Sequence, residues 1–171
     1  GGDEFKHLRH LDYSNREMKA FEIDNTRLPF NHNIALAPSH LVHIHTLSLR
    51  NNWLTDLQGL GLTALPHLIE LDLACNHFSG SVKRKSIPSC VQRLDLSFND
   101  FTDLTGLITC TNILALNLSH NSIKNADYLP GKVEILDISF NVLSSAFSLR
   151  VLALCPKITS LCLVGNPVTK R

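Results

Sequence analysis

Apolar and polar positions in this chain follow a repeating order of eleven places: apolar, two variable, apolar, one variable, apolar, two variable, asparagine, one variable, apolar. Six copies are in register. The first is Ile44, Leu47, Leu49, Asn52, Leu54, followed by Leu68, Leu71, Leu73, Asn76, Phe78 and by Val91, Leu94, Leu96, Asn99, Phe101. Next come Ile113, Leu116, Leu118, Asn121, Ile123 and Val133, Leu136, Ile138, Asn141, Leu143. The last is Ile158, Leu161, Leu163, Asn166, Val168. The asparagines lie 24, 23, 22, 20 and 25 positions apart. A degenerate copy at 18–28 uses Met18, Phe21, Ile23 and Leu28, with Thr26 where asparagine is expected.

The spacing has a physical reading. The apolar residues at places four and six point to one side of a short strand, and the residues between them point to the other. One copy cannot bury its apolar residues alone, but copies stacked as parallel strands share a continuous core. Each buried aliphatic side chain contributes about 1.5–3 kcal/mol. After the strand the chain turns inward, which strands backbone groups away from their ladder partners. An asparagine amide carries both donors and an acceptor, so it can satisfy those groups.

The connecting segments differ. Thr55 to Leu65 and Thr102 to Thr111 carry leucines at near-helical spacing, which predicts short helices or 3-10 turns. Ser144 to Leu154 is longer and is expected to form a genuine helix. Ser79 to Ser89 holds Gly80, Lys83, Arg84 and Lys85 and few apolar residues, and reads as an irregular, bulging loop. Residues 1–17 precede the repeats; Phe5, Leu8 and Leu11 lie three apart, as on one face of a short capping helix. Two units are therefore expected: a helical cap over 1–17 and a repeat array over 18–171.

Composition narrows the class. With 44% apolar and 18% charged residues, the 171-residue chain suits a folded domain. Its net charge of +1 offers no field to attract nucleic acid or an anionic membrane. No apolar run approaches the length of a membrane span. Five scattered cysteines, with no pair two residues apart, suggest a reducing, cytoplasmic compartment.

These copies resemble the leucine-rich-repeat superfamily over about residues 18 to 169. The spacing near 22, with the Asn-x-Leu-Thr-Asp-Leu-x-x-Leu form at Asn52 to Leu60, is similar to the short-repeat intracellular class. A protein phosphatase-1 regulatory subunit typifies that class, and axonemal, centrosomal and spliceosomal adaptors belong to it. The resemblance implies an α/β solenoid. A curved parallel sheet of six to seven short strands would line its concave face, with helices, 3-10 turns and loops on the convex side. The ending Leu161 to Val168 is similar to that class's final repeat, which a cap normally follows, so the array is expected to be cut short of its cap.

Function is expected on the concave sheet, at places three, five and seven. Place five runs Glu22, Ser48, Asp72, Asp95, Asn117, Asp137, Cys162, with four carboxylates and no cation. Place three adds Glu70 and Arg93; place seven adds Asp24 and Arg50. Such an acidic strip favours a basic peptide or helix. Place eight offers Phe98, His120 and Phe140 from adjacent copies, a candidate aromatic edge. Leu114 adds apolar surface nearby. His43 and His45 form an H-x-H pair with no further ligand at suitable spacing for zinc.

No phosphate loop, nucleophile elbow or zinc-protease motif occurs, so no enzyme, cofactor or small-molecule substrate is expected. The reading is a non-catalytic scaffold that binds a protein partner, as in a cytoskeletal, ciliary or centrosomal assembly. A phosphatase-regulating subunit and a ribonucleoprotein or RNA-export component are the rivals. An acidic face argues against direct contact with RNA.

Overall fold

Seven strands run the length of the array, each three residues long and each with leucine at its centre. The computed structural model describes residues 7–23 and 41–170. Its strands are β1 (His10–Asp12), β2 (Thr46–Ser48), β3 (Glu70–Asp72), β4 (Ser79–Ser81), β5 (Arg93–Asp95), β6 (Asp100–Asp103), β7 (Ala115–Asn117), β8 (Ile135–Asp137) and β9 (Ser160–Cys162). Among the described residues the main sheet has the order β1-β2-β3-β5-β7-β8-β9, all parallel. The central leucines are in register from Leu11 through Leu47, Leu71, Leu94, Leu116 and Leu136 to Leu161. From Leu47 to Leu136 this column is at most 3% exposed. Leu161 has a strand on one side only, and its exposure rises to 42%. The solenoid expected from the spacing is the fold observed.

The asparagine ladder forms as its chemistry requires. Asn99 donates through Nδ2 to the carbonyls of Leu73, Leu96 and Ser97, each at 3.1 Å. Its Oδ1 accepts from the Phe78 N–H at 3.1 Å. Asn76 repeats this pattern one turn earlier, and Asn121 and Asn141 repeat it in the next two turns. Asn166 keeps two of the donor bonds and the acceptor bond. Each amide thus ties its own strand to the previous one. No buried side-chain nitrogen or oxygen lacks a partner among the described residues.

The first repeat starts earlier than its pattern suggested. The segment 1–17 is not a helical cap in its described part: His10–Asp12 is β1 and pairs with β2. Leu8, Leu11 and Tyr13 fill apolar places one, four and six, while Phe5 lies outside the described residues. Arg16 stands where asparagine belongs. Asn52 of the next repeat compensates: its Oδ1 accepts from the Arg16 and Met18 N–H groups, and its Nδ2 donates to the Tyr13 carbonyl. Phe21 and Ile23 are buried as convex filling, and the Ile23 N–H bonds to the Leu60 carbonyl. Of the degenerate copy, Thr26 and Leu28 lie outside the described residues.

The convex side departs from expectation twice. Ala146–Leu154 forms a 3-10 helix rather than an α-helix, started by a capping box between Ser145 and Ser148. Leu149, Leu152 and Cys155 recur every third residue, so three residues per turn keeps all of them against the core. Ser79 to Ser89 is not an irregular bulge throughout. Its β4 pairs in parallel with β6, and Val82 and Ile87 are buried. Phe78 and Phe101 stack beneath this second sheet with centroids 6.1 Å apart. Gly106 permits the close approach, since a Cβ there would lie 2.2 Å from the Val82 carbonyl oxygen. The short 3-10 helices Gln58–Leu60, Leu62–Ala64 and Thr105–Thr109 fall where leucine spacing placed them.

Candidate functional site: the concave sheet and its aromatic edge

Because places three and five alternate with the buried leucine, every main-sheet strand turns two side chains to the concave face. They line an open trough of about 580 Å³ running from β1 to β8. Glu70, Asp72, Arg93, Asp95, Asn117 and Asp137 all lie in it, as their spacing required. Glu22 does not: it follows β1, and Asp12 takes its place at the head of the place-five column. Asp24 is outside the described residues.

Place five has a structural task that spacing alone did not reveal. At each of five strand exits a side-chain oxygen accepts from the N–H two residues on: Asp12 from Ser14, Asp72 from Ala74, Asp95 from Ser97, Asn117 from Ser119 and Asp137 from Ser139, at 2.8–3.0 Å. The Ser48 hydroxyl does the same for Arg50 at 3.4 Å. These Asx-type turns satisfy a backbone donor where the ladder ends. An amide serves as well as a carboxylate, as Asn117 shows, so the negative charge itself is surplus to the turn.

That charge is unevenly answered. Arg50 stands between Asp72 and Asp95, at 3.7 and 3.8 Å. Arg93 pairs with Glu70 at 2.5 Å. Asp137 forms no ion pair among the described residues. Burial pushes the Asp72 carboxyl above its ordinary pKa, with the nearby Asp95 charge adding to it; the Ala74 N–H and Arg50 only partly offset this. Asp12 makes the same turn at the open end of the sheet, and the Ser14 hydroxyl and N–H lower its pKa instead. Environment, not residue type, decides the direction.

The aromatic edge also assembles. Phe98 stacks on His120 at 4.1 Å between centroids, and His120 on Phe140 at 4.4 Å, with ring planes within 12° of parallel. Phe98 and Phe140 remain 48% and 49% exposed. Place eight carries a positive φ in every repeat: Asn15, Asn51, Cys75, Phe98, His120, Phe140 and Gly165. The left-handed region suits glycine and asparagine but costs other residues about 1–2 kcal/mol. Three consecutive repeats nevertheless hold large rings there. The outer face of Phe140 lies on Gly165, where a Cβ would come within 2.5 Å of the ring.

Other candidates stay apart. His43 and His45 precede β2 instead of lying within it. Among the described residues no group of three or more His, Cys, Asp or Glu could hold a metal ion. Lys83, Arg84 and Lys85 are exposed beyond β4, on the convex side. Burial raises the Cys110 and Cys155 thiols above their ordinary pKa, which disfavours the thiolate at both. All five cysteines are free thiols. Three exposed aromatic residues escaped the repeat frame: Trp53, with Lys19 over its ring at 5.5 Å, Phe147, with Arg150 at 3.9 Å, and Tyr128. Trp53 sits at place ten, where each repeat puts a different residue, so periodicity carries no signal for it.

Comparison with known proteins agrees with this architecture. The family model "Leucine Rich repeats (2 copies)" matches residues 42–82, and "Leucine Rich repeat" matches 88–104 and 109–127. Calmodulin-binding receptor kinase CaMRLK of Arabidopsis thaliana is 35% identical over 88 residues, covering 49% of this chain and 13% of that protein. Receptor-like protein kinase BRI1-like 3 of the same plant is 34% identical over 134 residues, covering 72% and 12%. The chain thus spans about an eighth of the length of these two relatives. An internalin of Listeria monocytogenes (inlF) superposes with a TM-score of 0.60 at 19% identity, covering 77% of this chain and 45% of that one. A leucine-rich-repeat protein of Leptospira interrogans gives 0.58 at 23%, covering 82% and 36%. These two likenesses concern the fold alone. No helix among the described residues is long and apolar enough to cross a membrane. Repeat frame, asparagine ladder, parallel sheet and family matches converge: residues 42–82, 88–104 and 109–127 are leucine-rich repeats, and the chain folds as a leucine-rich-repeat solenoid.

Proposed function

We propose that this chain is a non-catalytic protein-binding module whose concave sheet receives a partner segment. The observation that carries the reading is the trough itself, open along the array and lined by five carboxylates against one arginine, Arg93, with Arg50 reaching Asp72 and Asp95 from the strand exit. An open trough of this kind encloses no substrate, and Asp12 and Asp72, whose pKa values move in opposite directions, stand on β1 and β3 with β2 between them and do not form a facing acid–base pair. Net negative charge in the trough favours a basic partner, steering its approach more than anchoring it.

The free state of all five cysteines supports a reducing compartment, consistent with the short intracellular class and a scaffold in a cytoskeletal or ciliary assembly. A second reading rests on the curated relatives. Several of them are receptor kinases, which favours a recognition region of a receptor. The trough chemistry serves either reading; exposure of the free thiols to an oxidising buffer separates them. Inter-chain disulfides and loss of monomer there would support the reducing compartment.

The main test is a comparison of the parent with an Asp95→Asn/Asp137→Asn variant. Asparagine keeps both Asx turns and removes only charge, so thermal melts should coincide. A defined partner that crosslinks to trough residues in the parent and is lost with the variant supports the reading. Equal capture by both would move binding to the aromatic edge or the convex side.

A further inference from the structure

The concave face is not one acidic strip but two unlike halves. From β2 to β5 its charges answer each other: Arg50 lies between Asp72 and Asp95, and Arg93 pairs with Glu70. From β7 to β8 the chemistry changes. Place three becomes Ala115 and Ile135, and Ile135 is 53% exposed. Place five becomes Asn117 and Asp137. Across the exit of β8, Ile135, Asp137 and the exposed ring of Phe140 follow one another, and Val164 of the next repeat stands 62% exposed. Asp137 is half-buried among these groups, with one oxygen on the Ser139 N–H and no ion pair among the described residues.

We infer that the β7–β8 half of the trough is the docking site, and that its occupant is a predominantly apolar segment carrying a single cation directed at Asp137. This rests on the concave reading above and deepens it by naming the chemistry. Two observations select that occupant over a polybasic one. Carboxylates of the β2–β5 half already have guanidinium partners, so an incoming cation there only exchanges one exposed pair for another, with little gain. Asp137 has no such partner, and apolar flanks that exclude water around it strengthen a new charge-assisted bond. The exposed aliphatic and aromatic surface on both sides of Asp137 gives the remaining contact, as apolar anchors do at interface centres.

The test uses two labelled synthetic peptides with the whole chain, read by fluorescence anisotropy at physiological ionic strength. One has a central arginine between leucines and serines; the other is an oligo-arginine of equal length. The apolar peptide should bind about tenfold more tightly, equivalent to about 1.4 kcal/mol. Asp137→Asn and Ile135→Ser should each weaken it about five- to tenfold, while Asp72→Asn changes it less than about twofold. Amide shift mapping should centre on β7 and β8, and the variants' melts show whether the fold is kept. Tighter binding of oligo-arginine with dependence on Asp72 and Asp95 overturns the inference while leaving the concave reading intact. Absence of binding by the apolar peptide overturns the inference. Shifts confined to the convex side overturn both.

Discussion

Places eight and nine of each repeat are neighbours in the chain and opposites in what they conserve. Place nine repeats a residue: asparagine in six copies, at most 9% exposed, with its amide satisfied by the backbone of two turns. Place eight repeats a conformation: a positive φ in all seven turns, filled by asparagine, cysteine, phenylalanine, histidine or glycine. A buried site with fixed polar partners admits one side chain. A solvent-facing turn fixes only the backbone, and leaves the side chain free to serve a surface. The aromatic stack therefore carries information about this protein that the ladder does not.

The largest effect expected from testing this contrast is at the ladder. Asn99→Ala leaves the buried Phe78 N–H without its acceptor and takes one of two donors from the Leu73, Leu96 and Ser97 carbonyls, which keep Asn76, Asn121 and the Cys75 N–H; it should cost about 1–3 kcal/mol in a denaturant titration. An unchanged midpoint would mean that water replaces the amide, and place nine would lose its special status. Next is Gly165→Ala at place eight, where the new Cβ meets the Phe140 ring in a left-handed turn. It should destabilise by about 1–2 kcal/mol, and near-ultraviolet dichroism should report a displaced ring.

His120→Asn sharpens the comparison, because asparagine suits the turn but cannot stack. Relief of about 1–2 kcal/mol of backbone strain opposes loss of two ring contacts of about 0.5–1.5 kcal/mol each. The melt should move by less than about 1 kcal/mol. A larger loss would make the stack a structural element rather than a surface.

The smallest effect is at place five. Asp72→Asn keeps the turn and removes a charge that burial disfavours, so it should stabilise at neutral pH by less than about 1 kcal/mol. The sign follows from linkage. A raised folded pKa means the folded state holds the proton more readily, so the cost of the charge is present above that pKa and disappears as pH falls below the unfolded value. Melts of parent and variant should therefore converge on acidification.

The repeat frame made most of the fold legible, because the sheet side of the core obeys it: the central leucines of six strands and all six ladder asparagines stand where spacing put them. The first strand was hidden by the same logic. Tyr13 replaces an aliphatic residue and Arg16 replaces the asparagine, so spacing alone places the first copy at Met18; the missing amide is supplied from the next turn by Asn52. The convex side was harder. Only Phe78 and Phe101 hinted at the β4–β6 pair, since a surface strand such as Ser79–Ser81 needs no apolar alternation. At the site, spacing brought the right residues together but gave no view of Arg50 reaching across two strands. It therefore showed a uniform acidic column where the structure has a neutralised half and an open one.

The stacked edge has a mechanical consequence. Neighbouring strands in a sheet lie about 4.7–4.9 Å apart, whereas the three rings are spaced 4.1 and 4.4 Å apart. The edge carrying Phe98, His120 and Phe140 thus leans together slightly closer than strand spacing alone would set, and forms a continuous stacked rail along one side of the arc. A partner that flattened this part of the solenoid would have to pull the rings apart. One that fitted its existing curvature would meet a surface already set.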